Sequence, residues 1–199
     1  VEVGEYHPTE MVRTNIDGSI NVIEAAQDAG VRKVVFLSSD KAYQPISPYG
    51  QSKALAESLF LAANNISGWH GPKFSVTRYG NVWCSAGSEV PKWREIVAAG
   101  ATHVQVTDPD CTRFFMRMSE AVSLVMDTML SPEGGELRIP KLPAYRLGDL
   151  AEAMGVRTAL IGLPKWEKLH ESMEAGNSSD LARRMSVDEL KEALAESDY

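Results

Sequence analysis

The sequence predicts an α/β protein built on a parallel sheet. Two observations carry that expectation. Helical and strand periodicities alternate through the first 80 residues, and Val34-Val35-Phe36-Leu37 is apolar without a break. An unbroken apolar strand is the mark of a sheet covered on both faces, where helices join parallel neighbours.

Each element has its own reason. Pro8 and Thr9 open a helix whose apolar residues Val12, Ile16, Ile20, Ile23 and Ala26 recur at helical spacing, and Gly30 ends it. A strand over 33–38 follows. A second helix starts at Tyr49 and carries Leu55, Leu59, Phe60 and Ala63, and 74–79 reads as another strand. Past Gly80 the segments shorten. Helices are expected over 91–99, 119–129, 146–154 and 167–175, strands over 104–106 and 137–140, and a loop over 107–113. The stretch 176–180 reads as a mobile surface loop. Ser186-Val187-Asp188-Glu189 fits a capping box before the stripe of Leu190 and Leu194. Two parts are expected, 1–82 and 83–199, the second mainly a small α/β lobe.

Composition narrows the function. A chain of 199 residues can hold one core and a small lobe. A net charge of -7 argues against general nucleic-acid binding, which needs a basic footprint. Two cysteines, Cys84 and Cys111, are too few for a disulfide framework and suit a reducing cytoplasm. No apolar run is long enough for a membrane span, and the first residues do not read as a signal peptide. His7, His70, His103 and His170 are scattered, so no structural metal is expected.

Ligands of parallel α/β sheets sit at the carboxyl ends of strands. The first strand ends in Ser38-Ser39-Asp40-Lys41, and Tyr49 and Lys53 follow on the next helix one turn apart. An ammonium near a phenol lowers its pKa, which would fit Tyr49 as a general base. Lys53 could also hydrogen-bond a cofactor ribose. A bare Tyr-x-x-x-Lys is also an ordinary surface pair, and Asp40 with Lys41 an ordinary salt bridge.

The block Phe36-Leu37-Ser38-Ser39-Asp40-Lys41-Ala42, with Pro48-Tyr49-Gly50-Gln51-Ser52-Lys53, resembles the active-site block of extended short-chain dehydrogenases. It is most similar to that of the UDP-N-acetylglucosamine 4,6-dehydratases. Further blocks fall in family order: Arg13-Thr14-Asn15, Arg78-Tyr79-Gly80-Asn81-Val82, Thr107-Asp108-Pro109 with Thr112-Arg113-Phe114, and Glu167-Lys168-Leu169-His170-Glu171. The resemblance implies a partial, truncated Rossmann-like sheet with a C-terminal α/β substrate lobe. It implies transient oxidation of a UDP-sugar at C4 by NAD or NADP, loss of water across C5 and C6, and a 4-keto-6-deoxy product. Tyr49 would be the C4 base, Lys41 the C5 base and Asp40 the acid at C6, with Ser39 beside them. Asp40 would need a raised pKa and Lys41 a lowered one. Ser38, Tyr49, Lys53 and Tyr79 would face the cofactor, and Asn81, Arg113, Glu167 and Lys168 the nucleotide sugar.

Departures from the family limit this reading. No Gly-x-x-Gly-x-x-Gly loop occurs between a strand and a helix, and the standard plan places about 90 to 100 residues before this point. Weak or absent cofactor binding is therefore expected of this chain alone. The uncovered strand edge predicts a homodimer or a chain supplying the missing half. Leu163-Pro164-Lys165-Trp166-Glu167-Lys168 replaces the family's Arg-Pro-Gly-Glu-Lys, and Cys84 stands where the family has glycine. A non-catalytic remnant acting as a binding or assembly module, and a nucleotide-sugar epimerase, remain open alternatives.

Overall fold

A computed structural model describes residues 1–68, 70–131 and 134–196. In chain order the elements are helices α1 (Glu2–Tyr6), α2 (Pro8–Met11) and α3 (Gly18–Asp28), strand β1 (Lys33–Leu37), helix α4 (Pro48–Ser67), strand β2 (Lys73–Thr77) and helix α5 (Glu89–Ala98). There follow β3 (His103–Val106), β4 (Thr112–Phe114), α6 (Met118–Leu130), β5 (Leu137–Arg138), β6 (Ala144–Arg146) and α7 (Leu147–Ala153). Strands β7 (Arg157–Leu160), β8 (Ser172–Glu174) and β9 (Asn177–Ser178) and helix α8 (Val187–Glu196) complete the chain. No described helix is long and apolar enough to cross a membrane.

The chain forms two compact units, Val1–Tyr79 with Ser119–Pro140, and Gly80–Met118 with Lys141–Tyr199. The expected division at residue 82 is corrected accordingly: 119–140 returns to the first unit, because β5 belongs to its sheet.

In the first unit the sheet order is β1-β2-β5, all parallel, with Val35 opposite Ser75 and Val76 opposite Leu137. Strand β1 lies at the edge. It is only half-buried, and Leu37 is 44% exposed, so the expected cover on both faces is not met. The core gathers Ile23, Phe60, Phe74 and Val76, with Phe60 stacked on Phe36 at 4.7 Å. The helix expected over 9–29 is α2 and α3 joined by a π-helical stretch, Val12–Asp17. Gly30, at φ +64, stops it by adopting a left-handed turn open to glycine.

The second unit holds the larger apolar cluster, with Trp93, Phe115, Tyr145, Leu150 and Leu190 buried together. Trp83 packs on Phe115 and edge-on to Tyr145, at 4.9 and 5.6 Å. Strand pairs β3–β7 and β4–β6 are parallel and antiparallel respectively. Two expectations fail here. Residues 167–175 are not helical, and 176–180 is not simply a surface loop: β8 and β9 form a hairpin whose next residue, Ser179, is fully buried. The Ser179 hydroxyl accepts from the Glu171 amide and donates to the Thr112 carbonyl, so backbone bonding decides this segment.

Candidate active site

The site in the first unit is built where β1 ends. Ser39 caps a single 3₁₀ turn, Asp40–Ala42, its hydroxyl accepting from the Lys41 amide at 3.2 Å and donating to Asp40 Oδ1 at 2.9 Å. The Lys41 ammonium also donates to Oδ1, at 3.1 Å. The turn is held against the end of β2: the Ser38 amide donates to the Thr77 carbonyl and the Asp40 amide to the Tyr79 carbonyl.

Helix α4 brings the tyrosine to this turn. Ser47 caps the helix by accepting from the Gly50 amide at 3.1 Å, and Pro48 occupies its first turn. Gly50 lies so close to Lys41 that an added Cβ would collide with the Lys41 carbonyl oxygen. That approach sets Tyr49 among Ser39, Asp40 and Lys41, all three of which act on its phenol.

The electrostatics correct one expectation. Tyr49 is pushed above the ordinary phenol value, by burial foremost. Lys41 and a hydrogen bond with Ser39 pull the other way, and Asp40 adds to the rise. Lys53 was expected to lower this phenol. Instead its ammonium donates to the Leu37 carbonyl at 2.6 Å and lies 4.2 Å from the Phe36 ring centre. Lys53 itself is pushed down by burial, with Glu57 opposing. Tyr79 is raised by burial and by Tyr49.

Two buried oxygens here lack hydrogen-bond partners, Asp40 Oδ2 and Ser38 Oγ. Asp40 is 1% exposed, so an unpaired carboxylate oxygen there is an acceptor open to a ligand donor.

The second unit holds the remaining expected residues. Gly80 passes so near Phe114 that an added Cβ would sit 2.6 Å from the Phe114 Cβ, which fixes the turn that presents Asn81. Asn81 Oδ1 is buried without a partner. Arg113 is not the free fork expected for a diphosphate. It is 2% exposed and donates to the carbonyls of Thr112, Lys168 and Leu169, at 2.8, 3.2 and 3.3 Å. It also pairs with Glu167, which accepts from the Thr107 hydroxyl as well. Burial works against the Arg113 charge, but Glu171 and then Glu167 outweigh it and its pKa is raised. Lys168 Nζ stands 4.0 Å from Glu171 Oε2. His170 is a structural hydrogen-bonder, its Nδ1 2.9 Å from the Thr112 hydroxyl.

Sequence reasoning assigned no role to two features of the first unit. Asn15, inside the π-helical stretch, donates to the Ser52 hydroxyl at 2.9 Å, which donates to the Tyr49 carbonyl at 2.8 Å. Glu57 and Arg78 form a buried, two-pronged ion pair. The spacing of Glu57 one turn beyond Lys53 was the available signal.

The family model described as polysaccharide biosynthesis protein matches residues 1–190. The chain belongs to this family. It is 42% identical over 183 residues to the UDP-N-acetylglucosamine 4,6-dehydratase (inverting) of Campylobacter jejuni, covering 91% of this chain and 55% of that one. It is 36% identical over 185 residues to the UDP-glucose 4-epimerase of Rickettsia canadensis, covering 90% and 53%. The chain thus spans about half the length of these curated relatives. Pen from Bacillus thuringiensis superimposes with a TM-score of 0.91 at 32% identity, over 98% of this chain and 71% of that one. The fold is also that of DesIV, a dTDP-glucose 4,6-dehydratase from Streptomyces venezuelae solved with NAD and TYD bound (TM-score 0.79, 18% identity, 98% and 69% covered). The family member thus has the α/β, Rossmann-like sheet expected, matched over part of its relatives' lengths.

Proposed function

We propose that this chain carries the acid–base machinery of a nucleotide-sugar 4,6-dehydratase acting on a UDP-N-acetylhexosamine. The observation that supports it most is the contact of Lys41 with the buried Asp40 beside Tyr49, with Asp40 Oδ2 left unpartnered. An epimerase needs a tyrosine base but no acid and base at C6 and C5. The Rickettsia relative keeps the epimerase reading as the second choice.

The residues present fit the nicotinamide-ribose end of NAD(P). Ser38 has an orphaned buried hydroxyl, and the Lys53 ammonium has donors beyond the one spent on Leu37. No glycine-rich strand-to-helix turn occurs in these 199 residues, so the diphosphate is outside this chain's share. When bound, the cofactor supplies the hydride chemistry, oxidising C4 and later reducing C6.

Tyr49, as its phenolate, takes the proton of the C4 hydroxyl as hydride leaves C4, and Lys41 is the charge that favours that form against the rise caused by burial. The resulting 4-ketone acidifies the C5 hydrogen, which Lys41 removes. Asp40 protonates the C6 hydroxyl, which leaves as water and gives a C5–C6 double bond. These roles need a neutral amine and a protonated carboxyl. Both arise from a single proton transfer from Lys41 to Asp40 within their hydrogen bond, with no change in net charge. Asp40 Oδ1, the oxygen that accepts from Lys41, receives that proton and delivers it, and Oδ2, free of partners, is left to accept from the sugar. Asn81, Arg113, Glu167 and Lys168 are assigned to the nucleotide-sugar side, with Glu167 yielding its place on Arg113 to an arriving diphosphate.

Incubation of the chain joined to a glycine-rich cofactor-binding half with UDP-N-acetylglucosamine and NAD+, followed by NMR, tests the reading. A 4-keto-6-deoxy product is expected, and Lys41→Ala should lower its formation by about a thousandfold or more. A C4 epimer that survives Lys41→Ala would make the protein an epimerase, and absence of any turnover a non-catalytic binding module.

A further inference from the structure

The pair formed by Glu57 and Arg78 has no part in the chemistry above, yet it ties the helix that carries Tyr49 and Lys53 to the end of β2. Tyr49, Lys53 and Glu57 lie on one stripe of α4, four residues apart. Arg78 directly follows β2 and precedes Tyr79. Its Nε donates to Glu57 Oε1 at 2.8 Å and its Nη2 pairs with Oε2, a fork that fixes direction as well as distance. The Arg78 amide donates to the Arg138 carbonyl at 2.9 Å, its guanidinium lies 5.8 Å from the Tyr43 ring centre, and both partners are nearly fully buried. The neighbouring carbonyls of Thr77 and Tyr79 hold the amides of Ser38 and Asp40.

We infer that Glu57 is a positioning residue: its fork with Arg78 sets where α4, carrying Tyr49 and Lys53, stands against the turn carrying Asp40 and Lys41. A buried ion pair adds little stability over apolar side chains of the same volume, so its contribution here is geometric. The inference rests on the proposed function only in taking those four residues as the working groups. Lys53 reports on the pair independently. Its ammonium faces the Leu37 carbonyl and the Phe36 ring from β1, and Glu57 is the charge that opposes its burial.

The test is NMR on the intact chain and needs no turnover. Glu57→Gln removes the charge at constant size. The double variant Glu57→Met with Arg78→Met replaces the whole pair by apolar volume. In a folded variant of either kind the amide signals of Asp40, Lys41 and Tyr49 should move. The Lys53 titration midpoint should fall further below the ordinary lysine value. Arg78→Lys keeps the charge without the fork, and should move the amides while leaving the Lys53 midpoint near its parent position. A folded double variant with unmoved amides would reduce the pair to a structural tie. A double variant that cannot fold, where Glu57→Gln cannot either, makes it a stability element and overturns the inference too. Failure of the chain joined to a glycine-rich half to turn over UDP-sugar would sink the dehydratase reading and leave these spectra unaffected.

Discussion

Gly50 governs how near helix α4 can come to the Asp40–Lys41 turn. Its missing Cβ is the space filled by the Lys41 carbonyl, and the Ser47 cap fixes its amide. Any side chain there must push the helix start away from the turn, taking Tyr49 with it. Gly50→Ala should destabilise the chain by about 1–3 kcal/mol, the usual cost of overpacking, read from urea unfolding. It should also separate Tyr49 from Ser39 and Lys41. Unchanged unfolding in that variant would show that the turn yields easily and does not position the tyrosine. The tyrosine also illustrates where residue patterns mislead. Tyr49 and Lys53 share a helix face, but the ammonium is captured by the Leu37 carbonyl, and burial decides the sign of the phenol's shift. Spacing shows which residues are neighbours. It does not show which of two acceptors a long side chain chooses.

At the level of elements, the strongest local signals were legible and the weakest were not. The capping box is formed as read: the Glu189 amide donates to the Ser186 hydroxyl at 3.2 Å, and the Ser186 amide to the Glu189 carboxylate at 2.8 Å. Those bonds, with Arg183, hold the Glu189 carboxyl below the ordinary glutamate range. A depressed carboxyl pKa stabilises the fold above the unfolded value and ceases to do so as pH falls through the folded one. Glu189→Ala should therefore lower stability at neutral pH and by less in acid, where the carboxylate's bond to the Ser186 amide is already lost. Equal losses at neutral and acid pH, measured by thermal unfolding, would contradict this. By contrast β8 and β9 span three and two residues, too few for a period of two to show, and the sequence there reads as helix over the first and as surface loop over the second. Strand β7, largely exposed, carried no apolar alternation to betray it. Within the site, residues contiguous in the motif were found. Glu57 with Arg78, and Asn15 with Ser52, were not paired in advance, because each contact depends on how separate elements pack.

For the whole molecule the sheet is the deciding feature. Its three strands run β1-β2-β5, so a strand with Val34, Val35 and Phe36 in it forms an edge. Parallel strands of this composition are ordinarily interior, and an apolar edge invites pairing with another chain. A groove of about 420 Å³ runs beside that edge, lined by Val22, Val34, Phe36 and Leu37 together with Asn15 and Ser19. Val22 and Leu37 are 49% and 44% exposed there. We propose a second copy of the chain as the cover of this edge when the chain is studied alone. Sedimentation of the isolated chain should then show a mass that rises with concentration. Val22→Lys places a charge at the groove on an exposed helix position. It should weaken the association while changing unfolding free energy by no more than about 0.5 kcal/mol, as expected for surface substitutions. A chain that stays monomeric at high concentration would mean that its edge is tolerated by water, and the inferred homodimer would fall. An association that Val22→Lys leaves intact would place the contact on another face.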